Sequence, residues 1–197
     1  MSGIRSISRR PTQIGYASAA SAPIRVDDTS GQLSLVLGGT GSTEVAVFAS
    51  YPVSPAITGA THTPAQKDSG LNLGYSALAG ITVTLPAATG SGNTYRYVRT
   101  VAATSVGDVF KVANNADYMR GNVSEVAKDD GLLSFWGTLN TGTVSTESDT
   151  VTMNLTTTGL CDIGDYIEFT DIVAHVWWVS GINTANGAEA TPFSAGV

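Results

Sequence analysis

The chain has 197 residues, of which 42% are hydrophobic and only 13% are charged, enough for one ordinary domain or two small ones. Its 25 Thr, 22 Gly and 20 Ser make up about a third of the chain, which favours strands and turns and argues against a helical bundle. Mean hydropathy of +0.11 with a formal charge of -6 does not fit a disordered chain. No apolar run approaches the roughly 18 residues of a membrane span, and no signal-peptide core is present, so we expect synthesis in a cytoplasm and no membrane partner.

The charge is unevenly distributed along the sequence. Four arginines, Arg5, Arg9, Arg10 and Arg25, precede the first acidic residue, so residues 1–26 carry a formal +4 and the remainder carries -10. This segment shows no sustained period of 2 or 3.6 and therefore predicts an extended basic arm that becomes ordered on a partner. Four arginines without interleaved aromatics make a poor nucleic-acid groove, so we expect no nucleic-acid partner.

Strand patterns begin directly after the arm. Residues 32–37 and 44–48 flank a Gly-rich turn and predict a first hairpin. Residues 51–75 contain three prolines, which supply no ladder donor, and therefore predict a loop or linker with at most a short strand. The predicted organisation is an arm over 1–26, a hairpin region with a Pro/Gly-rich linker over 27–74, and a β domain over 75–197.

The second half of the chain alternates apolar and polar residues more cleanly. Ile81, Val83 and Leu85 point one way in the first of these segments, with threonines between them, which is the period of a half-buried antiparallel strand. Further predicted strands are 95–103, 108–113, 132–139, 149–156, 165–171 and 174–181. This spacing predicts an all-β fold, an antiparallel β-sandwich of jelly-roll type or a small barrel. The best helix candidate, around Asn115–Met119, is one turn long.

Residue types that carry chemistry are sparse. His62 lies in the Pro/Gly-rich loop and His175 inside an apolar predicted strand, and neither belongs to a zinc-binding spacing. The single cysteine, Cys161, has no sequence neighbour that would lower its pKa, so we interpret it as structural. We therefore expect no metal site and no cofactor.

Two acidic pairs and two Gly-rich segments also have structural interpretations. Asp129 with Asp130, and Asp162 with Asp165, lack the alternating oxygen ligands of a calcium loop and predict tight-turn carboxylates. The segments LGGTGS and ATGSGN fit hairpin turns, because neither precedes a helix with the residues of a phosphate loop. A glycosidase would need two carboxylates in one groove, and no motif points to such a pair.

Three tryptophans lie on predicted strands and are candidates for contact residues. Trp177 and Trp178 are adjacent, so they face opposite sides of a strand, and one of them must leave the core. An outward Trp is typical of subunit contacts and sugar-binding platforms. Trp136, beside Phe135, presents the same ambiguity, and a second small core under a long loop is the structural alternative.

Several segments together resemble the head decoration, or capsid cement, proteins of tailed bacteriophages. They are ITVTLPAATGSGNTYRYVRTVAATS, FKVANNADYMRGNV, DTVTMNLTTTGLCDIGDYIEFTDI, VWWVSG and the ending GAEATPFSAGV. The resemblance covers about residues 75–197. It implies a non-enzymatic virion protein that binds the outer surface of an icosahedral head through the major capsid protein, commonly as a homotrimer.

This resemblance gives the candidate residues their expected roles. The expected capsid contacts are in the arm: Arg5, Arg9, Arg10, Ile14, Tyr16 and Arg25. The expected self-association residues are Trp136, Trp177 and Trp178. The alternative function is a phage fibre or receptor-binding β module that recognises a host surface glycan, for which an exposed Trp or Tyr would form the platform.

Overall fold

The computed structural model describes residues 56–104, 107–160, 162–187 and 189–197, and the backbone of four short strands before them. The chain divides into two compact units, residues 1–52 and 53–197. Each unit is described by itself below.

The described strands of the first unit form two antiparallel pairs. The strands are β1 (Thr12–Ile14), β2 (Ile24–Val26), β3 (Leu33–Val36) and β4 (Glu44–Phe48). The pairing of β3 with β4 confirms the predicted first hairpin, and the pairing of β1 with β2 joins two stretches of the predicted arm. Ile14 and Arg25 are described only as members of these strands. Arg5, Arg9, Arg10 and Tyr16 lie outside the described residues.

The second unit contains eleven described strands and two single-turn 3₁₀ helices, Gln66–Asp68 and Val144–Thr146. The strands are β5 (Thr61–His62), β6 (Asn72–Tyr75), β7 (Thr82–Thr84), β8 (Thr94–Arg99), β9 (Asp108–Lys111), β10 (Tyr118–Ala127), β11 (Leu133–Gly137), β12 (Thr150–Met153), β13 (Tyr166–Val173), β14 (Val176–Ala185) and β15 (Phe193–Ser194).

These strands form two sheets that pack as a sandwich. The six-stranded sheet has the order β11-β10-β14-β13-β8-β6, and the five-stranded sheet has the order β15-β12-β9-β7-β5. Both sheets are open, so the fold is not a closed barrel, and the prediction of an all-β sandwich is confirmed.

The sheets are mixed, whereas the sequence predicted antiparallel pairing. β10 pairs with β14 in parallel over ten residues, and β6 with β8, β5 with β7 and β7 with β9 are also parallel. Consecutive strands repeatedly change sheets, so spatial neighbours such as β10 and β14 are distant in sequence. Alternation cannot reveal this, because a strand with one buried face has period two in either direction.

Aromatic side chains from both sheets meet in the core. Phe110 of β9 packs between Tyr97 of β8 and Phe169 of β13, with ring centroids 5.4 Å from each. These three rings are fully buried. Their edge-to-face and tilted packing is typical of aromatic contacts and joins the two sheets through one hydrophobic centre.

A buried polar group also connects the sheets. The Arg99 guanidinium of β8 forms an ion pair with Asp108 of β9. The Asp108 carboxylate also accepts hydrogen bonds from the Tyr75 hydroxyl at 2.7 Å and from the Ile81 backbone N–H at 3.0 Å, and Arg99 Nε donates to the Leu160 carbonyl at 2.6 Å. Removing either charge would leave the other buried without an opposite charge, which costs about 3–5 kcal/mol.

The unit boundary lies after Pro52, earlier than the predicted boundary near residue 75. Leu73 and Tyr75 of β6 are fully buried in the core, so this part of the predicted linker belongs to the sandwich. Prolines mark the loops around it, but β5 and β6 are short enough to fit between them.

Candidate interaction surface

The outer face of the six-stranded sheet, which is the side turned away from the core, is set by strict alternation. Along β14 the odd-numbered residues from Trp177 to Ala185 are buried, so the even-numbered residues face outwards. Along β10 Met119, Val123, Glu125 and Ala127 are buried, so the even-numbered residues face outwards. The same side of both strands therefore forms one continuous surface.

Strands β11 and β14 expose four large apolar side chains on this surface. Leu133 and Phe135 of β11 are 54% and 67% exposed, and Trp178 and Ile182 of β14 are 43% and 53% exposed. In the register of the sheet, Phe135 and Ile182 lie on either side of Ser124, two strands or about 10 Å apart. We call these four side chains the apolar face. A cluster of this kind marks an interaction site more often than a bare solvent surface.

The apolar face ends at an open strand edge, because β11 is the outermost strand of its sheet. The Thr138 N–H donates to the Gly121 carbonyl at 3.1 Å, and in an antiparallel ladder every second residue makes such bonds. By this alternation, the backbone N–H and C=O groups of Leu133 and Phe135 point away from the sheet. The edge can therefore pair with another strand beside the exposed side chains.

The charges of the outer face are paired within the protein. Arg96 Nε lies 2.8 Å from Glu168, and its guanidinium covers the Tyr166 ring at 4.5 Å. Arg120 lies 2.5 Å from Glu147, and this hydrogen bond holds the pKa of the Glu147 carboxyl below its usual value. The described part of this face thus carries no unpaired arginine, which suits contact with protein better than contact with nucleic acid.

Only one of the three predicted self-association residues lies on the outer face. Trp178 lies there, which agrees with the prediction that one of the two adjacent tryptophans faces outwards. Trp177 is 1% exposed, and its Nε1 donates to the Pro86 carbonyl at 3.2 Å. Trp136 does not lie on the outer face either. It lies opposite Val123 on the inner side of β11, packs against the core, and donates from Nε1 to Glu125 at 2.8 Å.

Sequence reasoning missed Phe135 and Ile182 as surface residues. In the segment LLSFWGTL, the phase of the alternation decides which of Phe135 and Trp136 faces outwards, and the sequence leaves this phase open. The phase becomes visible only through pairing with β10, which places Trp136 opposite the buried Val123.

The two histidines lie apart and each faces a single side chain. His62 Nδ1 of β5 lies 2.8 Å from the Tyr97 hydroxyl, and burial lowers the pKa of this imidazole. His175 was expected inside a strand, but it forms the turn between β13 and β14, with φ of 69° and Nδ1 3.1 Å from Asp117. A left-handed turn residue is compatible with the apolar strand residues on both sides.

The acidic pairs include tight-turn carboxylates, as predicted. Asp130 Oδ1 accepts from the Leu132 N–H at 2.9 Å, and Asp165 accepts from the Asp162 N–H at 3.0 Å. Both contacts hold a turn that precedes a strand. Cys161 lies outside the described residues.

The chain matches no protein-family model, no curated protein and no solved structure. Within the described ranges, no helix is both long enough and apolar enough to cross a membrane.

Proposed function

We propose that this chain is a structural virion protein that binds the outer surface of an icosahedral phage head and stabilises the shell. The observation that carries the proposal is the apolar face on a compact β-sandwich whose nearby charges are already paired. Phage decoration proteins, which residues 75–197 resemble in sequence, need such a surface for contacts among their own copies. The proposed role is non-enzymatic.

In this proposal, the two units of the chain have different functions. The apolar face of the sandwich joins copies of the protein into a trimer, and the basic residues 1–26 contact acidic patches of the major capsid protein. Arginine suits the second task because its planar guanidinium forms bidentate pairs with carboxylates. Because the protein binds only the assembled shell, its binding free energy adds to the free energy needed to open that shell.

Co-sedimentation with tailless, DNA-filled heads that lack this protein tests the proposal. We expect saturable binding at a fixed number of copies per head, and we expect the bound heads to release DNA at a higher temperature than bare heads. Absence of binding to heads, together with binding to host cells or to their surface glycans, would support the fibre or receptor-binding alternative instead.

A further inference from the structure

A buried carboxylate is bonded to the edge strand β11 through a tryptophan. Glu125 of β10 is 1% exposed, and its Oε2 accepts a hydrogen bond from Trp136 Nε1 of β11 at 2.8 Å. Trp136 packs against the core, whereas Leu133 and Phe135 of the same strand are exposed. The contact of β11 with the inside of the sandwich therefore includes the Glu125 carboxylate.

The second oxygen of Glu125 lies in a closed polar position. Its Oε1 is shielded from solvent and has no hydrogen-bond partner among the described residues. Gly159 lies against it, because a Cβ built on this glycine would be 3.5 Å from Oε1 and 2.8 Å from the Cβ of Asn183. Asn183, opposite Glu125 in the ladder with β14, is also 1% exposed. An ionised carboxylate is costly here, because one oxygen has lost its water without gaining a donor.

The charged groups around this carboxylate do not compensate it. Strands β11 and β14, which flank β10, contain no charged residue. Lys128, in the turn after β10, is paired with Asp162. Asp129 and Asp130 of the same turn have one oxygen each within 4.8 Å of a Glu189 oxygen, so the charge on this side is negative.

These surroundings favour the protonated carboxyl. Burial raises the pKa of Glu125 to about 7, the Trp136 hydrogen bond opposes this rise, and the charge of Glu189 adds to it. A raised folded-state pKa contributes stability that is fully present below the unfolded value of about 4.3. This contribution is lost as the pH rises through about 7.

We propose that Glu125 is a proton-dependent lock that closes β11 on the sandwich. The protonated carboxyl is neutral and stays buried while its Oε2 accepts the Trp136 N–H. Loss of the proton to solvent leaves a buried charge, and outward movement of β11 with Trp136 lets water reach Oε1. Because β11 carries Leu133 and Phe135, the lock also holds half of the apolar face in place. It is a property of the sandwich and does not rest on the phage role.

Hydrogen–deuterium exchange of the full chain at a series of pH values tests the lock. Glu125→Gln keeps the shape of the side chain without its charge, and dividing by its exchange rates cancels the intrinsic pH dependence of exchange. For residues 132–138, the ratio of wild-type to variant rates should rise at least tenfold from about pH 5.5 to about pH 8.5. The matched control Glu168→Gln, on the outer face, should follow the wild type. A ratio that does not change with pH would overturn the proposal.

Carboxyl ¹³C NMR provides a second readout, which follows Glu125 itself. Trp136→Phe removes the N–H that stabilises the charged form, so Glu125 should titrate at a higher pH than in the wild type. Glu189→Gln removes the neighbouring negative charge, so Glu125 should titrate at a lower pH. A wild-type midpoint near the ordinary value of about 4.3 would show that the buried carboxyl is not the proton-binding group of a lock.

Discussion

Asp171 shows how one carboxylate can organise a loop. Its two oxygens accept hydrogen bonds from the backbone N–H groups of Thr89, Gly90 and Ser91 at 2.7–3.1 Å, and from the Ser91 hydroxyl at 2.7 Å. The prediction that ATGSGN forms a hairpin turn is wrong, because the segment joins β7 to β8, which lie in different sheets, and Asp171 of β13 holds it. Burial by itself raises the pKa of Asp171, but the hydrogen bonds from Ser91, Thr89 and Gly90 outweigh it and hold the pKa below its usual value.

Asp171→Asn should destabilise the sandwich by about 2–4 kcal/mol at pH 7, because an amide turns N–H donors toward the donors of the loop. A lowered folded-state pKa contributes stability above the unfolded pKa of about 4, and this contribution is lost as the pH falls through the folded-state value. The variant should therefore lose less stability than the wild type between pH 5 and pH 2.

Urea unfolding at a series of pH values measures both effects. The control is Asp162→Asn, which removes a half-exposed ion pair with Lys128 and should cost less than about 1 kcal/mol. Equal losses in the two variants at pH 7 would contradict the role assigned to Asp171.

Gly121 of β10 shows why an element can depend on one small residue. Its φ is 131°, and a Cβ added there would lie 2.0 Å from the Val179 carbonyl oxygen of the paired strand β14. Gly121→Ala should therefore force β10 and β14 apart and cost about 2–4 kcal/mol. Gly131→Ala is the matched control, because its φ is also positive, at 73°, but a Cβ would meet nothing within 4 Å.

Thermal and urea unfolding of the two glycine variants separates steric clash from backbone strain. Gly131→Ala should lose about 1 kcal/mol, the cost of a left-handed conformation for a residue other than glycine. If Gly121→Ala loses no more than this, the close approach of β10 to β14 is not required for stability.

The same residue explains why β10 was missed in the sequence. Its inward positions alternate apolar residues with others: Gly121 lies between Met119 and Val123, and Glu125 follows Val123, so the apolar alternation that marked β13 and β14 is interrupted. The sequence pattern predicts those strands whose buried faces are uniformly apolar. It does not predict β10, because its inward Gly121 is explained only by the close approach of Val179, and its inward Glu125 only by the hydrogen bond from Trp136.

The candidate interaction surface was only partly predictable from the sequence. Adjacent Trp177 and Trp178 required one outward ring, which local geometry alone establishes. Phe135 of β11, which the register brings into the row of Ile182, lies more than 40 residues earlier in the chain, so only the sheet order reveals that the two side chains share a face.

At the scale of the whole molecule, the proposed trimer should depend on the apolar face. Light scattering should give about three times the chain mass of 20.2 kDa for the wild type. Ile182→Ser should shift the protein toward the monomer, because it puts a polar side chain at the centre of the contact. Ile163→Ser, at an exposed position (70%) in the turn before β13, should remain trimeric.

The matched isoleucine pair makes this test independent of general surface hydrophobicity. A wild-type chain that stays monomeric at micromolar concentration both alone and on heads would contradict self-association. Equal dissociation of the two variants would place the contact elsewhere on the sandwich.

Residues 1–23 should provide capsid affinity without contributing to the stability of the sandwich. Among the residues whose burial is described, the hydrophobic core lies within the second unit, so a chain that lacks residues 1–23 should keep the unfolding free energy of the sandwich and its oligomeric state. The deletion removes Arg5, Arg9 and Arg10, and we expect head binding to weaken at least tenfold, or about 1.4 kcal/mol. Exposed ion pairs are each worth less than about 1 kcal/mol and are screened within about 8 Å at physiological salt. A loss that persists in high salt would therefore assign part of the affinity to apolar anchors such as Ile14 and Tyr16.

Replacing Arg9 and Arg10 together by lysine separates the contribution of bidentate pairing to head binding from the contribution of positive charge. Lysine keeps the charge but cannot form the bidentate pair, so binding to heads should fall between that of the wild type and that of the deletion. Retention on heads across a salt series measures all three proteins under the same conditions. If the shortened chain binds as tightly as the full chain at every salt concentration, the capsid contact lies in residues 24–197, and the uneven charge of the sequence has no part in docking.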